Sequence, residues 1–413
     1  MRMVGGQVRD MLHRLEIENF YSVRDTQVID LRASRHAPHD PGRLAPLWAG
    51  SDERAPKVVA LFGANASGKS NVLKALAFLA WFLKDSFTTP RGRPMPFEGF
   101  NDHAMQDAPT RLAIHLGGVE DPAQSGQLGA AQCRYAYEVT IGGGRTRTVT
   151  HESLHYWPAH AGRRVKLYER NADGTVKAGP AFKLGRLRQV LGTVLRPDAS
   201  VIATLAALQH PFSKSAWDVA RRITGVIQGH HADISDQDAI SHYAANPYLV
   251  EGLNREVARI DLGIQSMQIE ARPDGPAMLF THAGLGFPMR MGLESHGTRQ
   301  FIKLYPFILD ALQTGGIAVL DELDAAIHPM ILPEIVRWFH DPVRNPHNAQ
   351  LWTTCHNASL LEHLTKEEVF FCEKDPAGRT RVYGLRDIQD VRRTDNLYRK
   401  YLGGVFGAVP HIG

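Results

Sequence analysis

The 413 residues are 43% hydrophobic and 22% charged, which allows a sizeable core in two or three domains, or one core split by an insertion. The longest apolar stretch, Val72 to Leu83, contains Lys74 and falls well short of the ~20 residues of a membrane span, so a subunit with its own spans is excluded. Cys133, Cys355 and Cys372 make no C-x-x-C spacing and residues 1–9 have no apolar centre, so neither a disulfide framework, a zinc site nor a secretory signal is expected; the default compartment is the cytoplasm, and a net charge of +4 says little about partners.

In chain order, Leu15, Ile17 and Phe20 alternate with Glu16, Glu18 and Asn19, predicting a strand over 12–20, and Thr26 to Leu31 predicts another. Ala33 to Pro56 reads as a loop. The apolar run Lys57 to Phe62 then leads into Gly63-Ala64-Asn65-Ala66-Ser67-Gly68-Lys69-Ser70, the phosphate-binding loop G-x-x-x-x-G-K-S. Its two glycines let the backbone wrap a triphosphate, Lys69 reaches the β and γ phosphates, and the Ser70 hydroxyl ligates Mg²⁺. ATP or GTP is the implied ligand. Leu73, Leu76, Ala80 and Leu83 place a helix from about Lys69 to Asp85, its first turn on the phosphates.

Thr89 to Pro96 breaks the pattern. Arg111 to Leu116, Arg134 to Ile141, Thr146 to Trp157 and Arg164 to Arg170 then alternate, which predicts an antiparallel sheet. From about Leu184 to Ile260 the spacing turns helical (Leu187, Val190, Leu191 and Val194, then Trp217, Val219, Ile223 and Val226), predicting an all-helical insertion. Gln265 to Glu270 and Ala277 to His282 read as a hairpin about Pro273-Asp274-Gly275-Pro276. Thr298 to Leu312 reads as a helix that Pro306 should kink or split.

Ile317 to Leu320 is an apolar strand ending in Asp321-Glu322. Asp321 would hold the Mg²⁺ shell through water or Ser70, and Glu322 would polarise the attacking water. Acid pairs end many strands; the phosphate loop gives this one its meaning. Ala349 to His356 is a further strand, one helix (Leu332 to His340) later. It would carry His356 to the γ-phosphate, although a lone histidine is more often structural. Between the phosphate loop and the acid pair, Ser295 and Gly297 form a turn at the head of a helix, a second anion site of hydroxyl and amides, or a plain helix cap.

This order resembles the ABC-type ATPase domain of chromosome-maintenance, recombination and defence ATPases. Glu294-Ser295-His296-Gly297-Thr298-Arg299-Gln300 is similar to the signature L-S-G-G-Q-R-Q, with departures at His296 and Thr298. Asn19-Phe20-Tyr21-Ser22, the phosphate loop followed by Asn71, Asp321 to Pro329, Thr353 to Asn357 and Gly407 to Pro410 resemble the stand-alone prokaryotic AAA family ATPases of abortive-infection and anti-phage defence systems. About half of the chain carries the resemblance, and residues 90–285 carry little of it.

The resemblance implies an α/β fold, an ABC-type P-loop NTPase with an antiparallel β subdomain and a helical insertion. Its parts would be an N-terminal lobe (11–88), an antiparallel β region (89–180), the insertion (181–262) and a C-terminal lobe (263–413). It implies ATP hydrolysis to ADP and phosphate with ATP and Mg²⁺ as cofactors. Gly63, Asn65, Ser67, Gly68, Lys69, Ser70, Asn71, Ser295 and Gly297 would hold the nucleotide, Ser70 and Asp321 the metal, and Lys69, Glu322 and His356 would act in catalysis. It also implies a homodimer joined head to tail, the phosphate loop of one copy and the Ser295/Gly297 turn of the other enclosing each ATP. Relatives of this kind work with a separate effector, a nuclease or toxin; about 57 residues follow His356, too few for a fused nuclease, so the effector is expected on another chain, docked on 184–260. Two features depart from the pattern: His328 stands where many ABC domains carry an aspartate, and no glutamine loop can be placed, Asn101, His103 and Gln106 being candidates. The alternative reading is a DNA-clamping recombination or repair ATPase, for which Lys183, Arg186, Arg188 and Arg196 form a basic cluster; such runs are more often solvated faces.

Overall fold

The computed structural model describes residues 11–127, 129–144, 147–227, 234–257, 263–324, 327 and 330–409. Strands β1 (Leu12–Glu18) and β2 (Gln27–Asp30) form where the alternation placed them. The following stretch, expected to be loop, contains a small hairpin of β3 (Leu44–Pro46) and β4 (Arg54–Pro56). β5 (Val58–Phe62) is buried at every position, and α1 (Lys69–Asp85) follows the phosphate loop.

The expected antiparallel sheet is present as β6 (Thr110–Val119), β7 (Gln132–Ile141), β8 (Val149–Tyr156), β9 (Val165–Arg170) and a further short strand, β10 (Val176–Ala178). It is continuous with the first strands, in the order β10-β9-β8-β7-β6-β1-β2, because β6 pairs with β1 and sets Leu112 opposite Ile17.

The expectation of an all-helical stretch over 184–260 is corrected. After α2 (Leu187–Val194), α3 (Val201–Ala207) and α4 (Pro211–Arg221), residues Ile223–Val226 form β11, which pairs in parallel with β15 (Ile317–Leu320). Ile-Thr-Gly-Val is β-branched at three of its four positions, which suits a pleated strand, and Gly225 lies where a Cβ would come within 1.8 Å of the Val319 carbonyl oxygen. The segment therefore supplies one strand of the central sheet and is not purely helical. α5 (Asp236–Ala245) and α6 (Pro247–Val257) complete it.

β12 (Ile264–Glu270) and β13 (Ala277–His282) form the expected hairpin, extended by β14 (Met289–Arg290). The helix after it, α7 (His296–Thr314), is not split at Pro306. Pro306 lacks the N–H that would bond the Ile302 carbonyl; the buried Tyr243 hydroxyl of α5 donates to that oxygen instead, at 2.8 Å. α8 (Leu332–His340), β16 (Gln350–Thr354), β17 (Val369–Lys374), β18 (Thr380–Gly384) and α9 (Leu397–Leu402) follow.

The second sheet has the order β11-β15-β16-β5-β17-β18, parallel except for β18. Its side chains alternate between two cores. Val59 and Leu61 join α1 and the antiparallel sheet, whereas Val58, Ala60 and Phe62 join α7 and α8. Helix α1 is thus packed between the sheets, and its N-terminus is fixed at the carboxyl ends of β5, β15 and β16. No helix among the described residues is long and apolar enough to cross a membrane.

Candidate functional site

The parallel register explains how residues far apart in sequence meet. Leu320 lies opposite Thr353 and Thr354 opposite Leu61, so the turns after β5, β15 and β16 emerge side by side at one sheet edge, where α/β sheets bind ligands. A cleft of about 630 Å³ opens there, lined by Asn65 to Asn71, Glu322, His356 and Lys374.

The loop's two glycines sit where neighbouring parts of the chain leave no room for a Cβ. Gly68 has φ +102°, and a Cβ on it would come within 2.2 Å of Thr380 Oγ1. A Cβ on Gly63 would come within 2.3 Å of the Cys372 carbonyl oxygen. Gly68 caps α1 without a side-chain hydrogen bond, and the first turn carries no acid; its free N–H groups and the helix dipole favour an anion. The Ser67 hydroxyl is buried without a hydrogen-bond partner among the described residues. Lys69 Nζ crosses the loop to the carbonyls of Gly63 (2.9 Å) and Ala64 (3.0 Å). Burial pulls its pKa below the usual lysine range, opposed by Cys372 and the carboxylates of Asp321, Glu322 and Asp324.

Ser70 Oγ donates to Asp321 Oδ1 at 3.0 Å, and Asp321 Oδ2 is buried with no hydrogen-bond partner among the described residues. A hydroxyl beside an unspent carboxylate oxygen fits an octahedral magnesium ion that keeps several waters. Ser70 and Asp321 are therefore the residues that would hold it. Glu322 is held in the left-handed region at φ +50°, and His356 Nε2 lies 3.5 Å from Glu322 Oε1. Of the residues named from sequence, Asn65, Ser67, Gly68, Lys69, Ser70, Asn71, Glu322 and His356 thus share one cleft, with Asp321 bonded to Ser70 beside it.

Asn71 has a second task. Its amide donates to Ser22 Oγ (2.6 Å), which shares a hydrogen bond with Thr380 Oγ1 (2.7 Å), and Thr380 Oγ1 donates to the Ser67 carbonyl (2.9 Å). This chain fastens the phosphate loop to the turn after β1 and to β18. Thr354, which donates to Asp321 Oδ1 (2.6 Å) and accepts from Glu322 N–H (2.7 Å), also escaped the sequence reading. So did Lys374. The signal for Thr354 was its place beside His356 at the end of a strand; Ser22 lies in the Asn19 to Ser22 motif with no role attached to it there, and Thr380 and Lys374 carry no local signal.

Ser295 and Gly297 do not line this cleft. Ser295 caps α7, accepting from Thr298 N–H at 3.1 Å, and is exposed beside Leu293 (71% exposed). Asn101, His103 and Gln106 are exposed and do not line the cleft either. His328 and Pro329 lie outside the described residues, as does Pro410. The basic cluster is broken up: Lys183, Arg186 and Arg188 are exposed, but Arg196 pairs with Asp198 at 2.7 Å and donates to the carbonyls of Phe87 and Thr89. It braces the end of α1 and is not offered to a phosphate backbone.

The model of a family described as "AAA domain, putative AbiEii toxin, Type IV TA system" matches residues 58–112 and 202–362, just over half of the chain. The match reaches back to residue 202, well into the region that carries little resemblance by motif. No curated protein matches the sequence significantly. Among solved structures, the chain is similar to the SMC head domain from Thermotoga maritima, at 15% identity over 90% of this chain and 98% of that one, with a TM-score of 0.40. It is also similar to the Smc head domain with an extended coiled coil bound to the C-terminal domain of ScpA, derived from Pyrococcus furiosus (12% identity, 91% and 96% covered, TM-score 0.42). A third likeness is to the Smc head domain with a coiled coil and joint from Pyrococcus yayanosii (10% identity, 91% and 97% covered, TM-score 0.42).

Proposed function

Because the chain belongs to the AAA-domain family of AbiEii-type, type IV toxin–antitoxin systems, and so is a P-loop ATPase by family, we propose that it is a cytoplasmic ATP-hydrolysing switch. It works as a head-to-tail homodimer and controls a separate toxic effector in anti-phage defence. In this reading the loop amides and Lys69 bind the β and γ phosphates, and Glu322 takes the proton of the attacking water while His356 orients the γ-phosphate. Magnesium on Ser70 and Asp321 would neutralise phosphate charge. The family description supports the toxin–antitoxin setting.

One observation carries the dimer: the Ser295 turn is exposed, has the hydroxyl and helix amides of an anion site, and stands outside its own chain's cleft. A second copy can bring it to the γ-phosphate, which makes ATP part of the interface. Sedimentation of Glu322→Gln, which should bind ATP without turning it over, tests this. ATP should convert it from monomer to dimer, and Lys69→Ala should remain monomeric; a Glu322→Gln protein saturated with ATP yet monomeric would overturn the reading. Co-expression with the genes beside it and a pull-down tests for the effector.

A further inference from the structure

The roles assigned to Asp321, Glu322 and His356 leave the neighbouring Asp324 without a task, although its carboxylate reaches across to the next strand's turn. Asp324 Oδ2 accepts from the backbone N–H of His356 at 2.5 Å and from that of Asn357. Its other oxygen, Oδ1, is buried and has no hydrogen-bond partner among the described residues. A carboxylate that aims one oxygen at two consecutive amides forms a charge-assisted clamp on that turn.

We propose that Asp324 is a positioning residue for ATP hydrolysis, one that holds the turn bearing His356 in register with the turn bearing Glu322. The proposal rests on the ATPase reading above. The two turns leave adjacent parallel strands, β15 and β16, and each sends a side chain to the other. Thr354, the last residue of β16, bonds Asp321 Oδ1 and the Glu322 N–H. Asp324, in the first, bonds the His356 and Asn357 N–H groups. The stitching is reciprocal. It fixes both backbones from which Glu322 and His356 project, and it explains how an exposed histidine stays 3.5 Å from the Glu322 carboxylate. Asn357 continues the brace, since its Oδ1 accepts from Ser359 N–H at 3.0 Å and caps the turn over Ala358–His363. Asp324 does not line the cleft that holds the phosphate loop. Its loss should therefore misplace His356 without weakening nucleotide binding.

The test compares Asp324→Ala, Asp324→Asn, His356→Ala and the Asp324→Ala/His356→Ala double variant of the full chain. Asp324→Ala should lower kcat by about tenfold or more while the Kd for a non-hydrolysable ATP analogue stays within about threefold. Asn keeps one carbonyl oxygen able to accept both N–H groups, so Asp324→Asn should retain most of the rate. In the His356→Ala background, Asp324→Ala should add less than about twofold, because coupled residues are not additive. An unchanged kcat, a loss of affinity and thermal midpoint in step with kcat, or full additivity in the double variant would each overturn the proposal. Hydrogen exchange at the His356 and Asn357 amides, measured on nucleotide-free protein, needs no turnover: it should speed up in Asp324→Ala and not in Asp324→Asn, and equal exchange in all three proteins would refute the clamp. Wild-type protein that hydrolyses no ATP would instead refute the ATPase reading and the hydrolytic role with it, while the exchange data still decide whether Asp324 holds the turn.

Discussion

Lys69 and Glu322 line one cleft and separate binding from chemistry. Lys69→Ala deletes the loop's cation, so ATP binding should be lost. Glu322→Gln keeps the shape but loses the base, so binding should persist while phosphate release slows by about 10²- to 10⁴-fold, roughly 3–5 kcal/mol of barrier. Calorimetric binding beside steady-state phosphate release checks both, and full turnover by Glu322→Gln would remove it from the mechanism. These residues were legible because the phosphate loop and the acid pair are contiguous motifs with a fixed chemical order. Thr354, Asp324, Ser22 and Thr380 were not, because their function depends on strand register: Thr380 meets the phosphate loop across more than 300 residues of sequence, and a threonine or serine at the end of a strand or in a turn has no local mark of such a contact. Asp324 did lie inside a quoted motif, but nothing in the motif says that its oxygen faces the backbone of residue 356.

At the scale of elements, period-2 alternation placed the antiparallel strands well, and helical spacing placed α1 and α8 with the observed bounds. The failures have physical causes. β11 is only four residues long, and Ile223 and Val226 also fit a helical spacing with Trp217 and Val219, so periodicity could not separate it from the helix before it. Pro306 was expected to kink or split α7; the helix is not split, and the Tyr243 hydroxyl, brought in from α5, satisfies the carbonyl that proline leaves open. Tyr243→Phe should therefore cost about 1–3 kcal/mol, the penalty for a buried acceptor left unpaired, and chemical denaturation measures it. A second brace lies at Glu368, whose fully buried carboxylate bonds His340 (2.6 Å), Arg43 (2.7 Å) and the Thr365 N–H (2.7 Å). Burial opposes its ionisation, but the hydrogen bond and charge of His340, with the charge of Arg43, outweigh it and hold the carboxyl below the usual carboxylate range. A carboxyl depressed in the folded state stabilises above its unfolded pKa, about 4.3, and loses that contribution as pH falls through its folded value. Glu368→Ala should thus cost about 3–5 kcal/mol at neutral pH, and denaturation curves of the two proteins should converge as the pH is lowered below about 4.

In the whole molecule, one sheet edge gathers the phosphate loop, the acid pair and His356, while the Ser295 turn stands exposed on α7. Leu293, two residues before Ser295, is 71% exposed, an apolar side chain that a partner surface could cover. The claim that each ATP is enclosed by two copies is tested most directly by mixing two disabled proteins. Lys69→Ala spoils the cleft of one copy, and Ser295→Arg spoils the turn of the other. A heterodimer regains one of its two sites, so the mixture should release phosphate well above either variant alone and at no more than about half of the wild-type rate. Phosphate release no faster than that of either variant alone, in a mixture shown by sedimentation to contain heterodimers, would contradict the account.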